Sequence, residues 1–473
     1  MKRGLLLSFF IAILSFGQIC SQEARIAKGT VVDTLSVQDS ISETFSIYIP
    51  QDFQNGETWP VLVLFDPQGR GRLTAQLFRS IAEEQGYIIA ASNEVLNKSS
   101  LQTNLPKASR LINRLLISMP VNANMVYVGG LGEGAQLASA APLIYKDIKG
   151  VLAVGDAWAN AELTDKLKTF VFSAVAGDED AKLFNMQALV EFYKQRKFPT
   201  EINYFDGKNN EWPDSFVLSN AVNAFTLDAI NRGFRESNQE LVQRLFSNEL
   251  ESTEMLRRQR NYYQAYEKLE QMEAKYALFD VNTDELKDRM KSLRRNKVYR
   301  QQRRDFRKAE NLEAEKQEEY RYLMEMDIIS TNFENIGWWE YQMEELQELY
   351  EKGNLAEKKV YNRLQDFLQE LSRSHFNIIM ESQAGIDTKI FVSVLRTALD
   401  KEDPEAYLKI ISLAGHDGDH QTALMYLEDL LKTGYDDMDA LYEIDGILDL
   451  KLSKEYNDLI RKYLGESKYY KQS

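Results

Sequence analysis

The sequence predicts a two-part chain: an α/β domain built on a mostly parallel sheet, then an all-α domain of helical-repeat type. Two observations carry this reading. Between about 28 and 232, short apolar runs of strand character alternate with stretches of helical period, which is how strand–helix–strand units are written. From about 236 onward the strand-like runs stop, nearly everything follows a helical period, and Gly and Pro become rare. The 473 residues leave room for more than one domain at roughly 100–200 residues each. An apolar share of 44 % and a charged share of 27 % are those of a folded chain.

The first 21 residues are expected to stand outside the fold. Met1-Lys2-Arg3 is a basic start, and Gly4 to Phe16 is an apolar run of signal-peptide length, short of the about 20 residues that span a bilayer. Cleavage is read after Ser21. Acylation of Cys20 is the less favoured reading, because it needs a small preceding residue and Ile19 is bulky. Removal of Lys2 and Arg3 takes the net charge from −15 to −17 and leaves a mature chain without cysteine, hence without disulfides. No other segment is a continuous apolar run of membrane-spanning length, so no integral span is expected. The acidity argues against nucleic acid, which calls for a basic footprint. The expected localisation is export, to the periplasm or the cell exterior.

In the α/β domain, expected over 22–232, Glu43–Pro50 alternates in period 2, and Trp59–Phe65 is continuously apolar, as in a strand buried on both faces. Further strands are expected at 87–91, 125–128, 151–154 and 170–176, with helices at 73–85, 104–116 and 134–145. Residues 125–138 read MVYVGGLGEGAQLA. A strand ends in Gly130-Leu131-Gly132-Glu133-Gly134 and a helix starts at once, which is the setting of a G-x-S-x-G nucleophile elbow.

With the strands FSIYIPQDF and WPVLVLFDPQGRG, this turn resembles the α/β-hydrolase superfamily, near its polyhydroxybutyrate-depolymerase-like and feruloyl-esterase-like members, over about 40–230. The resemblance implies a Ser at the elbow centre, where this chain has Gly132. It implies a His in a G-x-H-x-W-P stretch, where YFDGKNNEWP carries Asn210. It implies an acid after the strand at 170–176, which Asp180 supplies. The three histidines are His375, His416 and His420, all in the helical half. Acyl transfer by this route needs an oxygen nucleophile and a base, and both positions have lost them. The expectation is a pseudo-hydrolase with no catalytic residues. A different α/β fold, with the glycines as a packing device, is the alternative. The loop Asp66-Pro67-Gln68-Gly69-Arg70-Gly71 takes the place of an oxyanion-hole loop. Its N–H groups and Arg70 are expected to face an anion. A residual pocket is expected from Asp66, Gln68, Gly69, Arg70, Leu131, Gly132, Glu133, Trp158 and Trp212.

The stretch 233–250 is read as a hinge, and 251–473 as the helical domain. Residues 415–434, GHDGDHQTALMYLEDLLKTG, place Ala423 where a tetratricopeptide-like repeat has its small residue. Ala265 in 256–276 is a weaker second case, and 441–464 resembles the closing helices of such arrays. Two helical pairs of unrelated origin would read almost the same. A long charged helix is expected over about 285–326. Lys291 to Lys308 holds nine basic residues and one acid, and Ala309 to Met326 holds six Glu and two basic residues. One reading is a basic arm gripping an anionic surface. The favoured reading is a solvated helix laced with i, i+4 pairs, with its apolar stripe at Val298, Phe306, Leu312 and Leu323.

Two smaller features read as structural. Gly415 to His420 invites a metal reading, but Gly and Asp are ordinary residues of a turn between helices. Trp338-Trp339 invites a stacking site, but adjacent helical residues face different ways, so one belongs in the core. No metal and no cofactor is expected. The expected function is a protein-binding or assembly subunit of a cell-envelope complex, acting through a concave helical surface on basic or polar protein partners. The signal segment and the domain pairing resemble exported proteins of the Bacteroidetes type. The alternatives are a hydrolase using Ser139 or Ser173 without His, and a small-molecule or carbohydrate module using the residual pocket.

Overall fold

A computed structural model describes residues 27–96, 100–208 and 211–470. Residues 1–21, where a signal segment with Cys20 is expected, and Asn210 lie outside the described residues. The first part of the chain contains β1 (Val31–Ser36), β2 (Thr44–Tyr48), β3 (Trp59–Phe65), α1 (Gly71–Leu77), α2 (Arg79–Gln85), β4 (Ile88–Ser92), α3 (Leu101–Ser118), β5 (Val121–Leu131), α4 (Glu133–Ala140), β6 (Ile148–Val154), α5 (Ala161–Thr164), β7 (Val171–Gly177), α6 (Leu183–Gln195), β8 (Thr200–Phe205) and α7 (Ser215–Asn231). The strands form one sheet in the order β1-β2-β4-β3-β5-β6-β7-β8. β2 pairs antiparallel with β1 and with β4, while β3–β4, β3–β5 and β5–β6 are parallel.

Continuous apolar runs become the central strands, because a strand with helices on both faces has no solvent side. Val61 to Phe65 in β3 and Met125 to Leu131 in β5 are buried throughout. The helix expected over 73–85 is two helices, divided at Phe78, whose ring is fully buried. β1, β8, α5, α6 and α7 lie outside the expected elements.

The rest of the chain is helical: α8 (Gln239–Arg258), α9 (Tyr262–Tyr276), α10 (Thr283–Arg295), α11 (Lys297–Ser330), α12 (Ile336–Lys352), α13 (Leu355–Glu381), α14 (Ile386–Leu399), α15 (Pro404–His416), α16 (His420–Lys432), α17 (Met438–Glu443), α18 (Leu448–Lys451) and α19 (Lys454–Leu464). Packing runs along the chain, α8 on α9, α9 on α10, α13 on α14, α14 on α15 and α15 on α16. Among the described residues, no helix is long and apolar enough to cross a membrane.

Two expectations need correction here. Most of the expected hinge at 233–250 is helix, because α8 starts at Gln239, capped by the Asn238 side chain accepting from Leu241 N–H. The long charged helix is interrupted at Asn296, whose extended backbone ends α10 and whose side chain accepts from Val298 N–H to start α11. Asn is among the best residues for that position, since its side-chain oxygen satisfies an N–H that the first turn leaves open.

By compactness the chain divides into two units that interleave in sequence. One holds Met1–Ser173, Tyr193–Thr200 and Trp212–Ser237. The other holds Ala174–Phe192, Glu201–Glu211 and Asn238–Ser473.

Candidate functional site at the carboxyl edge of the sheet

The first unit places the elbow and the Asp66 loop side by side. β3 and β5 are parallel neighbours, with Phe65 opposite Gly130, so the loop after Phe65 and the turn after Leu131 leave the same edge. Ligands of open α/β sheets bind at that edge. Gly132 turns the chain with φ 54° and ψ −119°, a backbone combination that side chains rarely adopt. Its N–H donates to Val154 O at 2.9 Å, and Leu131 stands opposite Val154. Gly134 explains the tightness of the turn: a Cβ there would lie 2.0 Å from Phe65 O. At Gly132 the opposite holds, because a Cβ would meet nothing within 4 Å. The turn is shaped around a vacant side-chain position. Glu133 is exposed and begins α4, where a carboxylate suits the helix N-terminus.

Asp66 is fully buried and organises its own loop. Its Oδ1 accepts from Gln68 N–H at 2.9 Å and Arg70 Nε at 3.1 Å. Its Oδ2 accepts from Arg70 Nη2 at 3.0 Å and Trp212 Nε1 at 2.8 Å. Gly69 N–H donates to Asp66 O at 3.0 Å. This corrects the expectation of an anion-facing loop. The N–H groups of Gln68 and Gly69 point inward to Asp66, and the Arg70 guanidinium is held by that carboxylate in a two-toothed pair. Trp212 also packs edge-on against Phe78, centroids 5.4 Å apart.

Trp158 lies behind the elbow helix. Its N–H donates to Ser139 Oγ at 2.7 Å, and its carbonyl accepts from Tyr193 Oη at 3.3 Å. The alternative nucleophiles are both structural. Ser139 is buried and donates to Ala135 O at 2.8 Å; Ser173 is buried and donates to Ala221 O at 2.9 Å. Sequence reasoning missed Gln136, whose Nε2 donates to Asp156 Oδ2 at 2.8 Å on the same side of α4. A polar residue in the first turn of an otherwise small and apolar helix was the available signal.

Asp180 falls in the second unit, where its Oδ1 accepts from Lys182 N–H at 2.9 Å. Around it that unit holds a chain of buried charges that the sequence did not announce. Lys359 Nζ donates to Asp178 Oδ2 at 2.5 Å and Asp206 Oδ1 at 2.9 Å. Burial would lower the Lys359 ammonium, but the two carboxylates hold it above its ordinary range. Arg363 grips Glu313 at 2.5–3.0 Å and donates to Asp178 O. Burial pushes the Glu313 carboxyl up, to about 7, against the opposing pull of Arg363. Lys275 lies between Glu201 at 2.6 Å and Glu249 at 3.0 Å.

The two features read as structural take their places in this unit. Asp419 caps α16 by accepting from Thr422 N–H at 3.0 Å, with Gly418 at φ 84° before it. Trp339 is buried with its Nε1 donating to Asp327 Oδ2 at 2.9 Å, while Trp338 is half-buried.

No family model and no curated protein matches the chain. Solved structures similar to it include Est1E from Butyrivibrio proteoclasticus, at 16 % identity over 43 % of this chain and 99 % of that one, TM-score 0.35. Esterase B from Lactobacillus Rhamnosis (HN001) is 15 % identical over 49 % of this chain and 99 % of that one, TM-score 0.36. A thermostable esterase is 13 % identical over 37 % of this chain, TM-score 0.32, and the chain spans about half (55 %) of its length. With TM-scores this low, none of these likenesses bears on the chemistry of this chain.

Proposed function

We propose that the chain is an exported, non-catalytic pseudo-hydrolase that serves as a protein-binding or assembly subunit of a cell-envelope complex through its helical region. The supporting observation is the elbow. Gly132 occupies a turn whose geometry suits a projecting nucleophile, and it has no oxygen to attack with. The sequence between the signal segment and His375 has no imidazole to serve as base. Asp180 then has no imidazole to orient, and the fold is kept without the reaction. The helical region supports the partner role. Most of its helices pack on chain neighbours, with α11 on α13 as the main exception, and repeat arrays of this kind present extended surfaces. The α15–α16 hairpin closes around the fully buried Ala423, with Leu427 and Leu430 beside it, in the manner of a tetratricopeptide-like pair.

Purification of the tagged, natively exported protein with identification of what accompanies it tests this reading. A stoichiometric partner that is lost on deleting 404–464 supports it. A protein recovered alone, or a partner retained without the helical hairpins, contradicts it. The open position at Gly132, where a Cβ would meet nothing within 4 Å, favours a small-molecule module as the second reading. That reading predicts a ligand-dependent rise in melting temperature which Gly132→Trp abolishes.

A further inference from the structure

The charged helix α11 carries its two blocks on one outward stripe. At 3.6 residues per turn, Arg300, Arg304, Arg307, Asn311, Glu315, Glu318 and Tyr322 share a face, and all are exposed. The opposite face, with Glu313, Gln317, Tyr320 and Met324, is buried in the helical unit. This corrects the expectation of a helix laced with its own pairs: along α11 the ion pair among the described residues is Lys316–Glu319. It also shifts the expected apolar stripe, because Val298 is exposed and Leu312 only half-buried. Where the blocks meet, Arg307 acts on Glu310, but their outer members cannot neutralise one another within the helix. Arg304 and Glu315 are about 16 Å apart along the axis at about 1.5 Å per residue, far beyond ion-pair reach.

From these placements we infer that α11 is a self-association surface, on which a second copy of this chain docks antiparallel about a two-fold axis at Asn311. Such an axis sets residues at equal distances from Asn311 opposite one another. At four residues Arg307 of one copy faces Glu315 of the other. At seven, Arg304 faces Glu318. At eleven, Arg300 faces the ring of Tyr322, a cation–π geometry. At fourteen, Lys297 faces Glu325, also exposed. On each side of Asn311 the seam alternates spacings of three and four, as in a heptad pattern, the two spacings of four that meet at Asn311 make a stutter, and each pairing occurs twice in the dimer. Asn311 meets its own copy on the axis, where a polar residue fixes register. The parallel arrangement would set Arg against Arg and Glu against Glu. With charge supplying the match, the dimer is weak and sensitive to salt. This inference does not depend on whether the elbow is catalytic.

Sedimentation velocity of the full chain at tens of micromolar tests it. The wild type is expected to be dimeric at low ionic strength and at least tenfold weaker at about 0.5 M salt. Arg304→Glu with Arg307→Glu makes the stripe acidic, and Glu315→Arg with Glu318→Arg makes it basic. Each double variant alone is expected to be monomeric, and an equimolar mixture is expected to form a heterodimer. All four positions are solvent-exposed, and circular dichroism verifies the fold. A wild type that is monomeric at low salt overturns the inference. So does a dimer indifferent to both double variants, or a mixture that stays monomeric.

Discussion

The two units bury polarity in opposite ways. In the sheet unit, the strands around the elbow are apolar and the buried polar groups form small local sets: Asp66 holds Arg70, Trp212 and its own loop, and Gln85 bonds Asn223 and Thr226. In the helical unit, charge is distributed through the interior, as Glu313–Arg363, Lys359–Asp178 and Lys275–Glu249–Glu201. A parallel sheet satisfies its backbone through its neighbours and needs only apolar filling between layers. Helices of a charge-rich sequence cannot hide every polar residue on a solvent face, so those turned inward must meet opposite charges. The sheet unit therefore depends on steric fit and the helical unit on electrostatic matching.

The comparison breaks first at Arg363. Arg363→Ala leaves Glu313 buried without its cation and is expected to cost about 3–5 kcal/mol. Replacing both partners with apolar residues, Glu313→Leu with Arg363→Met, is expected to recover most of that loss. Chemical denaturation of wild type and the two variants measures it. An Arg363→Ala protein as stable as wild type would show that the pair contributes little.

The corresponding test of the sheet unit is steric. Gly134→Ala drives a Cβ into the Phe65 carbonyl, 2.0 Å from its oxygen, and a backbone group cannot rotate aside. A loss of about 3 kcal/mol is expected. Gly132→Ala, two residues away, meets no neighbour and carries only the penalty of its positive φ, about 1–2 kcal/mol. Thermal melts of the pair give the ranking, and equal losses would mean that the elbow is not packed as described.

The two regions were also unequally legible. β3 was readable to the residue, because a seven-residue apolar run bounded by turn residues has few other uses. The elbow was readable because three glycines at alternate positions between a strand and a helix signal a turn with no room for side chains. The role of Asp66 was not, since its partners Arg70 and Trp212 stand 4 and 146 residues away and no local spacing links Asp66 to Trp212. The buried face of α11 was misread for a related reason. Glu313, Gln317 and Asp327 look solvent-facing in a periodicity count, and only the cation or amide opposite each one permits its burial. Asn296 shows the limit for boundaries. A cap residue inside a strongly helical sequence divides one expected helix into two.

A smaller effect sharpens the electrostatic half. Glu313 has a folded-state pKa raised above its unfolded value of 4.5, to about 7. Its contribution to stability is thus fully present below about pH 4.5 and is lost as pH rises through about 7. The melting temperature of wild type minus that of Glu313→Gln is expected to fall from pH 5 to pH 8. A rise would mean that Arg363 outweighs burial and holds the carboxylate charged.

The most direct test of the pseudo-hydrolase account is an assay of the purified chain on short-chain esters, with labelling by a serine-directed fluorophosphonate on the same sample. The account predicts no turnover above background and no labelled residue. Turnover that survives purification and disappears on substitution around Gly132, or a stoichiometric label on a serine of the sheet unit, would contradict it.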